Sequence, residues 1–151
     1  MDVVIPEKEL IQYVVFNVGE QEFGTELNQV AMIEKDLNCT RVPTAPGYIK
    51  GVVNLRGDIF PIMSLRLKFA LPEIEVDEDT RIIIFNINES MLGVMVDAVN
   101  EVITMSNDDI ESVSNITDDR RLDYILGVAK KDERLITLLN VDKLVAELLE
   151  K

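Results

Sequence analysis

The side chains able to do chemistry in this 151-residue chain are mostly carboxylates: 28 acids stand against 15 lysines and arginines, and histidine is absent. Without histidine there is no Ser-His or Cys-His nucleophile and no histidine metal site. Cys39 is the single cysteine and cannot build a structural zinc site alone. In DLNCTRV it has neither a cationic cluster nor a helix start beside it to favour the thiolate, so it is expected to be a small structural hydrophobe. Neither GxGxxG nor GxxxxGK(S/T) occurs, which leaves no glycine-rich phosphate loop. A pair of acids remains possible by residue type, but the acids concentrate in PEIEVDEDT and SNDDIESV, whose composition is that of solvated loops. Catalysis is not expected, and neither a metal nor a cofactor is.

One cation is out of place. In GVVNLRGDIFPIM, Gly51 to Met63, the residues are largely those of a core, yet Asn54 and Arg56 interrupt them. A buried guanidinium is costly unless paired, so Arg56 either projects from a tight turn or is retained for a purpose.

The net charge of −13 argues against nucleic acid and anionic membranes as partners, since both require basic surfaces. No apolar run approaches the roughly 20 residues of a spanning helix, and the N-terminal MDVVIPEKE is acidic where a secretory signal would be basic. A cytoplasmic protein is expected, and one cysteine suits a reducing compartment. The chain is 47% apolar, lacks tryptophan and is only 5% aromatic; its core must be aliphatic.

The elements available to position these residues are short strands. Tyr13–Phe16 and Glu22–Gly24 flank a turn at Gly19-Glu20; Arg81–Ile87 and Met91–Val96 flank Asn88-Glu89-Ser90. Further strands are expected at Val30–Ile33, Gly51–Leu55, Asp58–Met63, Val99–Met105, Ile125–Ala129 and Leu135–Leu139. This spacing points to barrels or a sandwich rather than βαβ units. In NVDKLVAELLEK, Val141, Leu144, Val145, Leu148 and Leu149 recur at helical spacing behind Asn140 as N-cap. Ser64–Phe69 forms a shorter helix ending before Pro72, and Leu27, Val30 and Ala31 allow one helical turn or feed a strand.

The two halves resemble each other. Residues 14–33 align without gaps on 83–102, with Phe16, Asn17, Glu20, Gly24 and Val30 matching Phe85, Asn86, Glu89, Gly93 and Val99; GVVNLRGDIFPIMSLRL from Gly51 follows GVAKKDERLITLLNVDK from Gly127. Two β modules joined by acidic 72–80 follow, sharing an interface because each alone buries little. The repeat keeps the glycine and the apolar strand, but Lys130-Lys131-Asp132-Glu133 replaces Asn54-Leu55-Arg56-Gly57. The fold therefore does not demand NLRG.

At these residues the chain resembles the CheW-like family, the coupling proteins of bacterial chemotaxis. YIKGVVNLRGDIFPIMSLRLKF carries the specific part; QYVVFNVGEQEFG, MLGVMVDAVNEVI and ERLITLLNVDKLV support it in the family's order over nearly the whole chain. The resemblance implies a mainly β fold: two five-stranded SH3-like β-barrel subdomains packed together, with a short middle helix and a C-terminal helix. The chain would be a single CheW-like domain over 1–151, with barrels at about 12–71 and 81–140 and a helix at 141–151. It implies a non-catalytic adaptor that couples the cytoplasmic tip of transmembrane, methyl-accepting chemoreceptors to the regulatory domain of the histidine kinase CheA, recruited to membrane-associated arrays without inserting. The alternative is a CheW-like regulatory module of another two-component pathway. The family's receptor groove maps to Val30, Ile33, Gly51, Arg56, Val99 and Val102, and its kinase-facing surface to Lys50, Asp58 and Ile59. Met32 stands where relatives often carry glutamate, which leaves Glu34 as the nearest acid on that strand face for Arg56.

Overall fold

A computed structural model describes residues 10–35, 37–111 and 123–149. Residues 150–151 of the expected C-terminal helix, Ser112 and Val113 of SNDDIESV, and the segment MDVVIPEKE lie outside them. All ten expected strands are present, as β1 (Leu10–Val18), β2 (Gln21–Glu26), β3 (Val30–Glu34), β4 (Ile49–Leu55), β5 (Asp58–Ser64), β6 (Arg81–Ile87), β7 (Ser90–Val96), β8 (Ala98–Ser106), β10 (Ile125–Lys131) and β11 (Arg134–Leu139). An eleventh, β9 (Ile110–Glu111), is only two residues long.

The strands form a six-stranded sheet, β8-β1-β2-β11-β10-β9, and a five-stranded sheet, β3-β6-β7-β5-β4. Both curl. Three residues join β8 to β9 at opposite edges of the larger sheet. Four Cα steps reach at most about 14 Å, whereas a flat sheet would separate those edges by about 24 Å. In the smaller sheet Thr40, six residues beyond the end of β3, bridges Val52 on the far edge strand β4; about 21 Å of chain again falls short of flat geometry. Barrel-like closure satisfies both, as expected, although one barrel has six strands rather than five. Thr40 holds in one barrel the place that β9 holds in the other.

Strand pairing does not follow the contiguous division at 12–71 and 81–140. The hairpin β1–β2 belongs to the sheet of the second half and β6–β7 to that of the first, each joined in parallel register, β2 to β11 and β7 to β5. Exchanging first-half strands for their second-half equivalents converts one sheet order into the other, so the duplication is real and the modules have traded hairpins. Two repeated glycines permit the trade. A Cβ at Gly24 would approach Ile136 and Leu138 to 3.1 Å, and one at Gly93 would approach the end of Ile62 to 2.4 Å.

Three apolar clusters result. Each barrel encloses one: Tyr13, Val15, Met105, Ala129, Ile136 and Leu138 in the larger, and Val53, Phe60, Ile62, Ile82 and Ile84 in the smaller. The third lies between the barrels and joins Phe16 and Phe23 of one sheet to Ile83, Phe85 and Val94 of the other. Cys39 packs against the smaller barrel's interior, in keeping with a structural role.

The two expected helices are α1 (Leu65–Lys68) and α2 (Val141–Leu149). The expected Asn140 cap is present, its Oδ1 accepting from Lys143 N–H, and Ser64, expected as the first helical residue, instead caps α1, its Oγ accepting from Leu67 N–H; both satisfy first-turn donors. Val141, Leu144 and Val145 of α2 are buried in the shared cluster. Lys68 of α1 reaches Glu147 of α2 at 3.1 Å and lies over the rings of Tyr48 and Tyr124. Residues 27–29 are a single 3-10 turn feeding β3, so the segment supplies both the turn and the strand.

Candidate functional site

The repeat places Val30 and Ile33 in β3 at positions equivalent to Val99 and Val102 in β8, and both strands are sheet edges. Val30 pairs with Phe85 and Ile33 with Ile83; Val99 pairs with Phe16 and Val102 with Val14. Val30 and Val99 pack against the shared cluster. Ile33 and Val102 lie further along the same faces, 40% and 48% exposed. Two equivalent apolar edges thus flank the seam where the barrels share a core, with a half-buried residue and a more open one on each.

A β-bulge makes this possible. In a regular strand residues 30 and 32 would share a face, but the register shifts between Val30 and Met32. Val30 consequently faces the shared cluster, while Met32 packs inside the smaller barrel.

Arg56 and Gly57 are the two-residue loop of the β4–β5 hairpin, with Leu55 opposite Asp58. Both have positive φ, 54° and 90°, as a tight hairpin with right-twisted strands requires. Gly57 N–H donates to Asn54 Oδ1 at 3.2 Å, which accounts for the asparagine. The arginine is different: left-handed backbone disfavours it by roughly 1–2 kcal/mol, and among the described residues Arg56 makes no hydrogen bond or ion pair, with Glu34 or any other acid. An exposed cation is held at a strained tip with no partner among the described residues. Because β3, β5 and β7 run in one direction, that tip stands at the Val30 end of its sheet.

The other expected residues divide. Asp58 and Ile59 share the hairpin tip with Arg56, and Ile59 is 70% exposed, so residues expected on two surfaces stand together on one. Lys50 lies at the opposite end of β4, paired with Glu73. Gly51 is buried, and a Cβ there would stand 2.5 Å from Thr40 O. It offers a partner no side chain and serves the close approach of Thr40 to β4, as Gly127 serves that of Glu111 to β10.

One polar arrangement had no local signal, because its members are 31 residues apart. Arg66 donates to Asp97 from Nε at 2.9 Å and Nη2 at 2.7 Å, and Gly19 N–H adds a third bond at 2.8 Å. Burial pushes the Asp97 carboxyl up, but Arg66 and the Gly19 N–H outweigh it and hold the group below its usual range. Arg134 and Asn100 likewise lower Glu22, by direct hydrogen bonds against a smaller burial effect, and Tyr124 and Lys68 overcome burial to lower Glu147. A proton-donating acid would require the opposite shift.

These directions carry a pH dependence. A carboxyl lowered in the folded state stabilises fully above its unfolded value, about 4 for aspartate, and loses that contribution as pH falls through the folded value. The melting temperature of Asp97→Asn is expected to lie below that of the parent at pH 6, with the gap closing below about pH 4. A gap independent of pH down to about 2 would show that the Asp97 charge contributes nothing.

The sequence matches the CheW-like domain family over residues 12–149. The chain belongs to the CheW-like family. It is 35% identical over 139 residues to the chemotaxis protein CheW of Helicobacter pylori, covering 91% of this chain and 83% of that one. It is 36% identical over 129 residues to the chemotaxis protein CheW of Bacillus subtilis, covering 85% and 83%. The crystal structure of the scaffolding protein TtCheW from Thermoanaerobacter tengcongensis superposes with a TM-score of 0.79 at 33% identity, covering 87% of this chain and 89% of that one. The paired barrels are the architecture of a CheW-type scaffold. No helix among the described residues is long and apolar enough to cross a membrane.

Proposed function

We propose that this CheW-like protein is a non-catalytic cytoplasmic adaptor that couples the cytoplasmic tip of transmembrane chemoreceptors to the regulatory domain of the histidine kinase CheA. The observation that carries the reading is the exposed pair Ile33 and Val102 on equivalent edges beside a common core. A receptor tip is a helical hairpin, and an amphipathic helical surface docks by laying apolar anchors into such a seam. Arg56, with no partner among the described residues at the Val30 end, adds orientation more than affinity. The kinase surface takes in Asp58 and Ile59 at the β4–β5 tip, directly beside Arg56, with Lys50 apart from them at the other end of β4. Family membership and the similarity to chemotaxis and scaffolding proteins support this assignment; recruitment to membrane-associated arrays is part of it.

Titration calorimetry against a receptor-tip fragment and a kinase regulatory domain tests it, and absence of binding to both refutes it. Arg56→Glu is expected to weaken receptor-tip binding about tenfold or more, because reversing a rim charge sets like charges against each other. Its melting temperature should stay within about 2 °C of the parent, as for an exposed substitution in a chain of this size. A sharp fall in melting would make Arg56 a structural residue.

A further inference from the structure

The described chain passes between the two sheets twice, through residues 27–29 from β2 to β3 and through Asp97 from β7 to β8. The repeat makes these crossings equivalent, but their ties differ. At the first, Gln29 Nε2 donates to Asp142 Oδ1 of α2 at 3.2 Å, an exposed bond from a neutral donor. At the second, Asp97 accepts two bonds from Arg66 and one from Gly19 N–H, while its own N–H donates to Asn17 O at 2.9 Å. Arg66 Nη1 also donates to Pro72 O at 2.9 Å. The two side chains are only 17% and 20% exposed. One cluster of directed, charge-assisted bonds therefore joins the β1–β2 turn of the larger sheet, α1 at the end of β5 in the smaller sheet, the linker and the residue leading into β8.

Apolar burial holds the barrels together but is non-directional, so the shared core favours nearness more than any one angle between sheets. Directed bonds select the angle, and charge-assisted ones are the strongest available. Asp97 immediately precedes β8, the strand that carries Val99 and Val102. We propose that Arg66 and Asp97 are positioning residues that set the angle between the two sheets, and with it the separation of the β3 and β8 edges that receive a receptor's helical tip. This rests on reading that seam as the receptor site. The Gln29 crossing is the compliant side, about which the seam widens when the clamp is released.

The test is a distance between spin labels on cysteines introduced at Lys35, just past β3, and Thr104 in β8, both exposed, in a Cys39→Ala background. It needs no partner. Asp97→Asn and Arg66→Gln are each expected to broaden the distance distribution and to weaken receptor-tip binding about tenfold, with kinase-domain affinity unchanged. The double variant should do much less than the sum of the two, since the Arg66–Asp97 pair is the interaction both remove. If Asp97→Asn loses its cooperative melt, Arg66→Gln, which leaves the Gly19 N–H its acceptor, gives the same reading. A lowered melting temperature with an unchanged distance distribution overturns the proposal, because the pair is then merely structural. A broadened distribution with tip binding undiminished overturns it differently: the clamp sets the angle, but the seam is not the receptor site.

Discussion

Replacing Ile33 and Val102 together by glutamate is expected to lower affinity for a chemoreceptor tip fragment more than a hundredfold while leaving kinase-domain binding intact. Each side chain is close to half exposed, so each has apolar surface still to bury and little to lose from the folded monomer. A carboxylate at either position would have to be desolvated without a partner when a helix packs on it, and two such groups exceed the roughly 2.7 kcal/mol that a hundredfold represents. The chain already carries −13, which adds no compensating cation. The melting temperature should fall by no more than about 5 °C. Unchanged tip affinity would remove the seam as the binding site. Lost affinity accompanied by a collapsed melt would be uninformative alone, so Val102→Glu, the more exposed of the two changes, is to be measured singly as well and is expected to retain a parental melt and lose at least tenfold.

The exchanged hairpins predict a second large effect. Chains comprising residues 1–72 and 73–151 as separate polypeptides should show no cooperative thermal transition alone and should regain one when mixed. Each half leaves one sheet without its central hairpin: β3, β4 and β5 lack β6 and β7, and β8 to β11 lack β1 and β2. The shared cluster takes Phe16 and Phe23 from one half and Ile83, Phe85 and Val94 from the other. For the same reason Phe85→Ala, which costs about 3–5 kcal/mol for a fully buried aromatic, should shift the melt of both barrels together, read by circular dichroism and by amide resonances in each sheet. A half-chain with its own sharp melt, or a barrel unaffected by Phe85→Ala, would contradict the exchange.

The strands were legible because each is a short apolar or alternating run between turn residues, and local pattern is sufficient for that. The cap at Asn140 was legible for the same reason, since a cap involves only the next three residues. The repeat was legible as an alignment, but its spatial meaning was not. Sequence neighbours usually pair, so the halves looked like separate barrels. The parallel pairs of β2 with β11 and β7 with β5 depend on two distant glycines. Strand β9, too short for periodicity, gave no signal. Among the proposed binding residues, Val30, Ile33, Val99 and Val102 came from repeat and resemblance together. Gly51 came from the motif alone, and it proved to be a close-packing glycine because a motif does not separate contact from framework.

NLRG, the feature the repeat does not keep, illustrates the division. By itself the sequence determined that Arg56 lies next to a glycine within a strand-turn-strand segment, that the core is aliphatic, and that no histidine chemistry exists, since these depend on residue type and neighbours. Only the tertiary structure decided that Arg56 is held in left-handed backbone with no described partner, that Lys50 pairs with Glu73 away from that tip, and that Asp97 meets Arg66 across 31 residues. The physical reason is that short-range order is written in local sterics and hydrogen bonding. Which distant side chains share a seam is decided by how two curled sheets close over one core.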